Sequence, residues 1–242
     1  IAWLDGGGKT GGHDAGHDGE GDMQLRSNVF DMNLTRGTDV VLDARTCDCC
    51  QTDVAMGDKG ALLVWRDRDA DEIRDIMIAR FANGAWSAPK PVHADGWKIE
   101  GCPVNGPAIA ANGNAAVVAW YTEAGGAPLL RIARSGDAGD SFAAPLDVDK
   151  GKAVLGRVDV AMDDTQVWVS WLREEANGQT LLLARSSPDL SRQLQRIEVA
   201  KLQGRGRATG SPKLALTAGG AWLVWTDAID GVTQLQGALI AR

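Results

Sequence analysis

Five tryptophans set the ruler for this chain. Trp3, Trp65, Trp120, Trp171 and Trp225 sit at the end of short apolar runs, I-A-W-L-D-G, A-L-L-V-W-R-D, A-A-V-V-A-W-Y-T, V-W-V-S-W-L-R and A-W-L-V-W-T-D. A second run recurs behind them: I-M-I-A-R (76–80), L-R-I-A-R (130–134), L-L-L-A-R (181–185) and A-L-I-A-R (238–242). The runs have strand length and β-branched or aromatic content, and Gly, Asn and Asp fill the breaks. None is long enough to read as a helix. The tryptophans recur at near-regular intervals, and such a period with four strands per unit is the sequence signature of a β-propeller. In that fold each sheet, or blade, buries its faces against its neighbours. An all-β sandwich would leave the spacing accidental.

The clearest unit runs from Cys102 to Asp149 and reads as strands A, B, C and D. On this ruler the chain is a single domain divided into a partial blade (1–45), three blades (46–98, 99–150, 151–203) and a second partial blade (204–242). It enters in the middle of a B strand and stops after a C strand. We therefore expect upstream sequence carrying a further blade and an export signal.

One turn carries a family mark. Ser135, Asp137, Gly139, Ser141 and Phe142 spell S-x-D-x-G-x-S-F. This resembles the Asp-box of the sialidases and other BNR-repeat propellers. Elsewhere the box is worn: Trp86-Ser87-Ala88-Pro89 keeps its end and Ser186 to Asp189 its start. The resemblance implies a six-bladed ring, a five-bladed ring closed by an irregular edge being the alternative. It also implies that the Asp-box is a structural turn on the face opposite the active site.

Bulk properties exclude some partners. Net charge is −7, the pI is about 5.0 and nothing basic is clustered. A nucleic acid or an anionic membrane surface is therefore not expected as a partner. No apolar run reaches transmembrane length. Thirty glycines and nine tryptophans against one tyrosine fit a turn-rich repeat with a tryptophan in each blade.

Chemistry-bearing residues fall in the loops. Residues 4–22 form a long Gly-rich B–C loop carrying His13 and His17, a composition that can bind metals. The next loop reads T-C-D-C-C-Q-T-D, with Cys47, Cys49 and Cys50, and Cys102 opens the following blade in G-C-P-V-N-G-P. Aligning the repeats sets Cys50 beside Cys102 in the loop entering strand A. Such D–A loops lie near the propeller axis and open on the same face as the B–C loops. Two chemistries compete there. Two disulfides would have Cys47 and Cys102 share Cys49 and Cys50 between them, since adjacent cysteines pair only under strain. A soft-metal site for copper or zinc would use the thiolates, with or without His13 and His17.

The loop after Trp65 is dense in charge, with Arg66, Asp67, Arg68 and Arg74. It reads either as a salt-bridged surface or as arginines gripping an anion or sugar carboxylate. Trp97, Lys98 and Glu100 in the next D–A loop, and Arg173 two blades on, are further ligand-facing candidates, Trp97 as a stacking surface. The sialidase resemblance implies three arginines on a substrate carboxylate and a tyrosine nucleophile activated by a glutamate. Tyr121, the sole tyrosine, and Glu123 are the residues that fit it; Arg66 and Arg68 complete the catalytic candidates. The sequence thus points to an extracytoplasmic (periplasmic or secreted) sialidase-like propeller that binds a ligand or acts as a scaffold. Its partners would be a carbohydrate or another extracytoplasmic protein. The alternatives are an exo-glycosidase of sialidase type and a copper- or zinc-binding protein.

Overall fold

The computed structural model describes residues 1–6, 22–176, 178–206 and 209–242, so His13 and His17 lie outside the described residues. These residues form five antiparallel sheets. The first holds β1 (Ala2–Asp5), β2 (Gln24–Ser27) and β3 (Val40–Asp43); the second β4 (Asp53–Gly57), β5 (Gly60–Arg66), β6 (Ile76–Ala82), β7 (Ala85–Trp86) and β8 (Lys90–His93). The third holds β9 (Ala108–Asn112), β10 (Ala115–Thr122), β11 (Leu129–Ser135) and β12 (Leu146–Lys150). The fourth holds β13 (Val154–Met162), β14 (Val167–Glu175), β15 (Gly178–Ser186) and β16 (Gln193–Leu202), and the fifth β17 (Gly210–Thr217), β18 (Gly220–Ile229) and β19 (Val232–Ala241). There is no α-helix among the described residues.

The sheets stack face to face in chain order. One apolar cluster joins the first two through Leu25, Leu63, Trp65 and Ala79. A second joins sheets two and three through Leu62, Val64, Ile109 and Trp120. Clusters around Trp171 and around Trp168 with Leu223 continue the series. The leading strands β4, β9, β13 and β17 pack neighbour to neighbour and so surround the axis. Trp65, Trp120, Trp171 and Trp225 occupy matching positions on the second strand, paired with Met77, Arg131, Leu182 and Gln236.

In sheets two to four the indole at this matching position meets a carboxylate from the sheet before it. Trp65 Nε1 donates to Asp43 at 2.7 Å, Trp120 Nε1 to Asp95 at 2.6 Å and Trp171 Nε1 to Asp149 at 2.8 Å. An indole carries one donor that burial would orphan, and a carboxylate at the end of the preceding D strand satisfies it. Arginines close the charge: Arg131 pairs with Asp95, and Arg173 and Arg196 pair with Asp149. Burial pushes the Asp149 carboxyl up, but the indole and the two guanidiniums outweigh it and hold it below its ordinary value. The fifth sheet lacks the clasp. Its Asp227 accepts the backbone N–H groups of Gln203 and Gly204 instead.

The turn at 135–142 is built on one aspartate. Asp137 accepts the Ser135 hydroxyl at 2.7 Å, the Ser141 hydroxyl at 2.6 Å and the Ser141 N–H at 2.8 Å. Those bonds, Ser141's first, hold its carboxyl far below the usual carboxylate range. Gly139 sits at φ 81°, which a side chain would strain, and Phe142 packs against the core of sheets two and three. The turn follows β11, at the opposite end of the sheet from the loop after β10.

Replacing Trp120 with Phe keeps most of the apolar contact but leaves Asp95 with one buried partner fewer. Urea unfolding should show a loss of about 2–3 kcal/mol, and a loss below about 0.5 kcal/mol would mean that the clasp contributes nothing net.

Candidate functional site

The segment between β3 and β4 is tied down before its cysteines begin. The Thr46 hydroxyl and the Cys47 N–H both donate to the Arg66 carbonyl, at 2.7 and 3.1 Å. Cys49 is disulfide-bonded to Cys102, linking the entry loops of the second and third sheets. Cys47 and Cys50 are free thiols, 1% and 2% exposed, with sulfurs 2.6 Å apart. Of the two disulfides expected in either pairing, the structure holds one, Cys49–Cys102, and leaves Cys47 and Cys50 unbonded. Alignment of Cys50 with Cys102 is corrected by the tryptophan ruler. Cys47 stands as far before Trp65 as Cys102 stands before Trp120, whereas Cys50 is level with Asn105.

The three sulfurs of Cys47, Cys49 and Cys50 lie within 4.8 Å of one another, as metal ligands would. With Cys49 held in a disulfide, only two thiols remain, short of the four ligands of a structural zinc. A cation also occupies the neighbourhood: Arg74 Nη1 lies 3.5 Å from Cys47 Sγ. In this oxidised arrangement the described residues do not make a four-ligand zinc site. The Cys50 sulfur beside Cys47, with Arg74 and Arg66, favours the Cys47 thiolate; the same contact and burial push Cys50 up.

The arginines expected to grip a ligand are spent on the protein itself. Arg66 is fully buried and donates to three carbonyls, Asn105 O at 2.8 Å, Arg74 O at 2.6 Å and Tyr121 O at 2.6 Å. Its guanidinium also lies over the Trp97 ring at 4.9 Å. Arg68 and Arg74 both clasp Glu72, each at 2.8 Å, and Arg68 leads in holding that carboxyl down to about 2. Arg173 is paired with Asp149. Trp97, expected to be an exposed stacking surface, is 5% exposed and meets Tyr121 edge-on at 5.7 Å. Lys98 and Glu100 do face solvent.

Tyr121 donates its hydroxyl to Glu123, so the two candidates are in contact. Burial, then the Glu123 carboxylate, raises the phenol well above its ordinary value. That shift opposes phenolate formation, the reverse of what a nucleophile needs. Asp67 behaves differently. Burial first, then the nearby Asp43 carboxylate, push its carboxyl up to about 7.

The ruler reveals a second centre that carries no motif in the sequence. Gln51, Gly106, Arg157 and Ser211 stand at one common offset before Trp65, Trp120, Trp171 and Trp225. In the fourth and fifth sheets this position follows a glycine, and both residues are left-handed: Gly156 (φ 82°) with Arg157 (52°), and Gly210 (85°) with Ser211 (52°). The pairing of β13 with β14 and of β17 with β18 slips just here, so each leading strand bulges beside the axis. A cavity of about 170 Å³ opens at that level, lined by Gln51, Val104, Arg157, Ser211, Pro212 and Lys213 among others. Val104 is also left-handed, at φ 51°. Strain of this kind persists only where surrounding contacts over-determine it, and it clusters at functional sites.

Buried polar bonds hold the rim. Gln51 both accepts from the Gly106 N–H (2.9 Å) and donates to the Gly106 carbonyl (3.1 Å), and a side chain at Gly106 would come 1.9 Å from Gln51 O. Asn105 accepts the Arg157 N–H at 2.7 Å and donates to Leu155 O at 3.1 Å. Arg157 Nη1 donates to Gly206 O at 2.7 Å and also to Thr209 O. Lys213 pairs with Asp159 at 2.9 Å, whose carboxyl burial pushes up despite that cation.

No protein-family model matches the sequence, and no curated protein does. Solved structures do match the fold. A xylan β-1,4-xylosidase from Bacillus halodurans aligns over 77% of this chain with 10% identity and a TM-score of 0.51; the chain spans 39% of that enzyme's length. A GH43 endo-arabinanase from Bacillus licheniformis covers 77% of this chain and 69% of its own, at 11% identity and a TM-score of 0.50. A GH43 β-1,3-galactosidase covers 88% and 76%, at 11% identity and 0.51. The chain has the β-propeller fold of these glycosidases. These three are glycosidases of other kinds than the sialidases that the 135–142 turn resembles.

Two measurements probe the electrostatics. Arg66→Lys cannot reach three carbonyls from one planar fork, and thermal and urea unfolding should show a loss of roughly 2–4 kcal/mol. Asp67 binds its proton more tightly folded than unfolded. Its ionisation therefore lowers stability as pH rises from the ordinary carboxylate value of about 4 towards 7. Asp67→Asn should flatten the fall in Tm between pH 5 and pH 8; an unchanged slope would show that Asp67 is ionised throughout.

Proposed function

We propose that this chain is a carbohydrate-binding β-propeller that seats one terminal sugar unit in the cavity on its axis. The observation that carries this reading is the convergence of four blades on that cavity. Gln51, Arg157 and Ser211 arrive there from equivalent positions, and Val104 and Lys213 complete the wall. Its size suits a single small polar molecule rather than an extended chain. Amide, hydroxyl and cationic side chains around an aliphatic floor suit a polyhydroxylated ring, and a ligand carboxylate would compete with Asp159 for Lys213. The matching structures are glycosidases in name, which agrees with a saccharide ligand. An extracytoplasmic setting, periplasmic or secreted, fits the Cys49–Cys102 disulfide.

Glycoside hydrolysis is the second reading, and Asp159 favours it. Its buried carboxyl is raised, with Asp53 contributing, and a proton held on such a group is what a general acid requires. Against it, Asp159 is already engaged by Lys213 and by the Leu214 N–H at 2.6 Å.

Calorimetric titration with free uronic acids, N-acetylneuraminic acid and neutral pentoses and hexoses separates the readings. An acidic monosaccharide should bind with a Kd below about 1 mM. Lys213→Gln and Ser211→Gly should each weaken it about tenfold, or ~1.4 kcal/mol. Binding unaffected by both substitutions, or no binding across the panel, sinks the axial-site proposal. Turnover of aryl glycosides that disappears in Asp159→Asn would establish the hydrolase.

A further inference from the structure

Four sulfurs stand at the junction of the second and third sheets, yet they occupy two different environments. Cys49 and Cys102 are partly exposed and bonded to each other. Cys47 and Cys50 are sealed behind them as free thiols. Their spacing is C-x-x-C, and their sulfurs lie 2.6 Å apart. Cys49 belongs to the outer disulfide, but its sulfur lies within 4.8 Å of both inner ones. An inner dithiol and an outer disulfide are thus within one sulfur–sulfur displacement of each other.

We propose that these four cysteines form a dithiol–disulfide relay, in which the sealed Cys47/Cys50 pair exchanges oxidation state with the exposed Cys49–Cys102 disulfide. Cys47 is the attacking thiolate. Arg74 Nη1 lies 3.5 Å from its sulfur, the buried Arg66 adds a second positive charge, and the Cys50 sulfur lies 2.6 Å away. A cation beside a cysteine favours the thiolate form that attacks. Cys50 is excluded as first nucleophile on Cys49, because adjacent residues form a strained bridge.

The steps balance. Cys47 thiolate forms a bond to Cys49 Sγ, the Cys49–Cys102 bond breaks, and Cys102 leaves as a thiolate that takes up a proton from solvent. Cys50 then gives up its proton and attacks Cys47 Sγ, and Cys49 leaves and is protonated. The result is a Cys47–Cys50 disulfide and an exposed Cys49/Cys102 dithiol, with two electrons moved outwards and none lost. An external low-molecular-weight disulfide, being reduced to two thiols, reoxidises the outer pair. The outer bond also spans the two segments that carry Gln51 and Val104, so its opening frees two walls of the axial cavity from their covalent link.

The test uses the whole chain, purified without reductant and equilibrated in glutathione redox buffers of graded potential. Thiols are trapped with iodoacetamide in denaturant and located by fragmentation of the tryptic 46–59 and 99–131 peptides. The relay predicts two separate two-electron steps and, after the first, wild-type molecules that divide their one disulfide between the two pairs. Cys47→Ser should confine that disulfide to Cys49–Cys102, and Cys49→Ser/Cys102→Ser should leave an inner pair that still oxidises reversibly. Circular dichroism confirms that both variants fold. Two disulfides that resist millimolar dithiol in the native protein would overturn the proposal in favour of inert cross-links. So would a single fixed pairing at every potential, or stoichiometric copper or zinc on the thiols of the purified protein.

Discussion

The indole–carboxylate clasp decides how these sheets can stack. A tryptophan on the second strand is the largest apolar body available to fill the space between two blades, and in sheets two to four it is wholly buried. Burial on that scale is strongly favourable, but it strands one N–H. Asp43, Asp95 and Asp149 supply the acceptor from the preceding blade, and in two of the three cases arginines neutralise it. One interaction therefore fixes three things: the rotation of the indole, the distance between neighbouring sheets, and the position where strand D must end. The loop leaving that aspartate is the loop that enters the next leading strand, so the clasp also sets where the cysteines and the cavity rim begin.

Arg66 is the corresponding device at the axis. Its three carbonyl partners belong to the loop entering β9, the loop before β6 and the end of β10. A guanidinium buried without a carboxylate at hydrogen-bond distance is costly unless the surrounding dipoles are aimed at it. Here they are, and the nearby Cys47 sulfur adds favourable charge. A residue that looked like a ligand-gripping cation is instead what holds the ligand-facing loops in place, and it lends the inner cysteine its electrostatics.

Much of the architecture was legible because propeller blades repeat. The tryptophans at 65, 120, 171 and 225 marked the strand register directly, and the A-R endings marked the third strand. The restriction on disulfide pairing followed from chain geometry alone and left the realised bond as one of two choices. What could not be read was the direction of charged side chains. Arg66, Arg68, Arg74 and Arg173 carry the same letters whether they face a cleft or a carbonyl, and only the fold decides. Trp97 failed as an exposed platform for the same reason: a loop tryptophan beside Lys98 and Glu100 looks solvated until Arg66 and Tyr121 are found packed on it. Tyr121 and Glu123, the residues that fit the sialidase pair, do touch, but burial turns that contact against nucleophilic chemistry.

The axial cavity shows a subtler loss. Its signal was present, since counting back by one fixed offset from each strand tryptophan lands on Gln51, Gly106, Arg157 and Ser211. It was hidden because the repeat keeps the place and not the residue: an amide, a glycine, a guanidinium and a hydroxyl share no motif. The same holds at the position just before, where Cys50, Asn105, Gly156 and Gly210 are equivalent. There the second sheet has a thiol, the third a buried amide that brackets its neighbours, and the last two a glycine that lets the strand bulge. Each sheet thus fills the same position with a different chemistry, and only the last two bulge there. The sheets therefore share a position without sharing a backbone: the fourth and fifth are left-handed and slip register there, the second and third do not, and the cations come from the two that do.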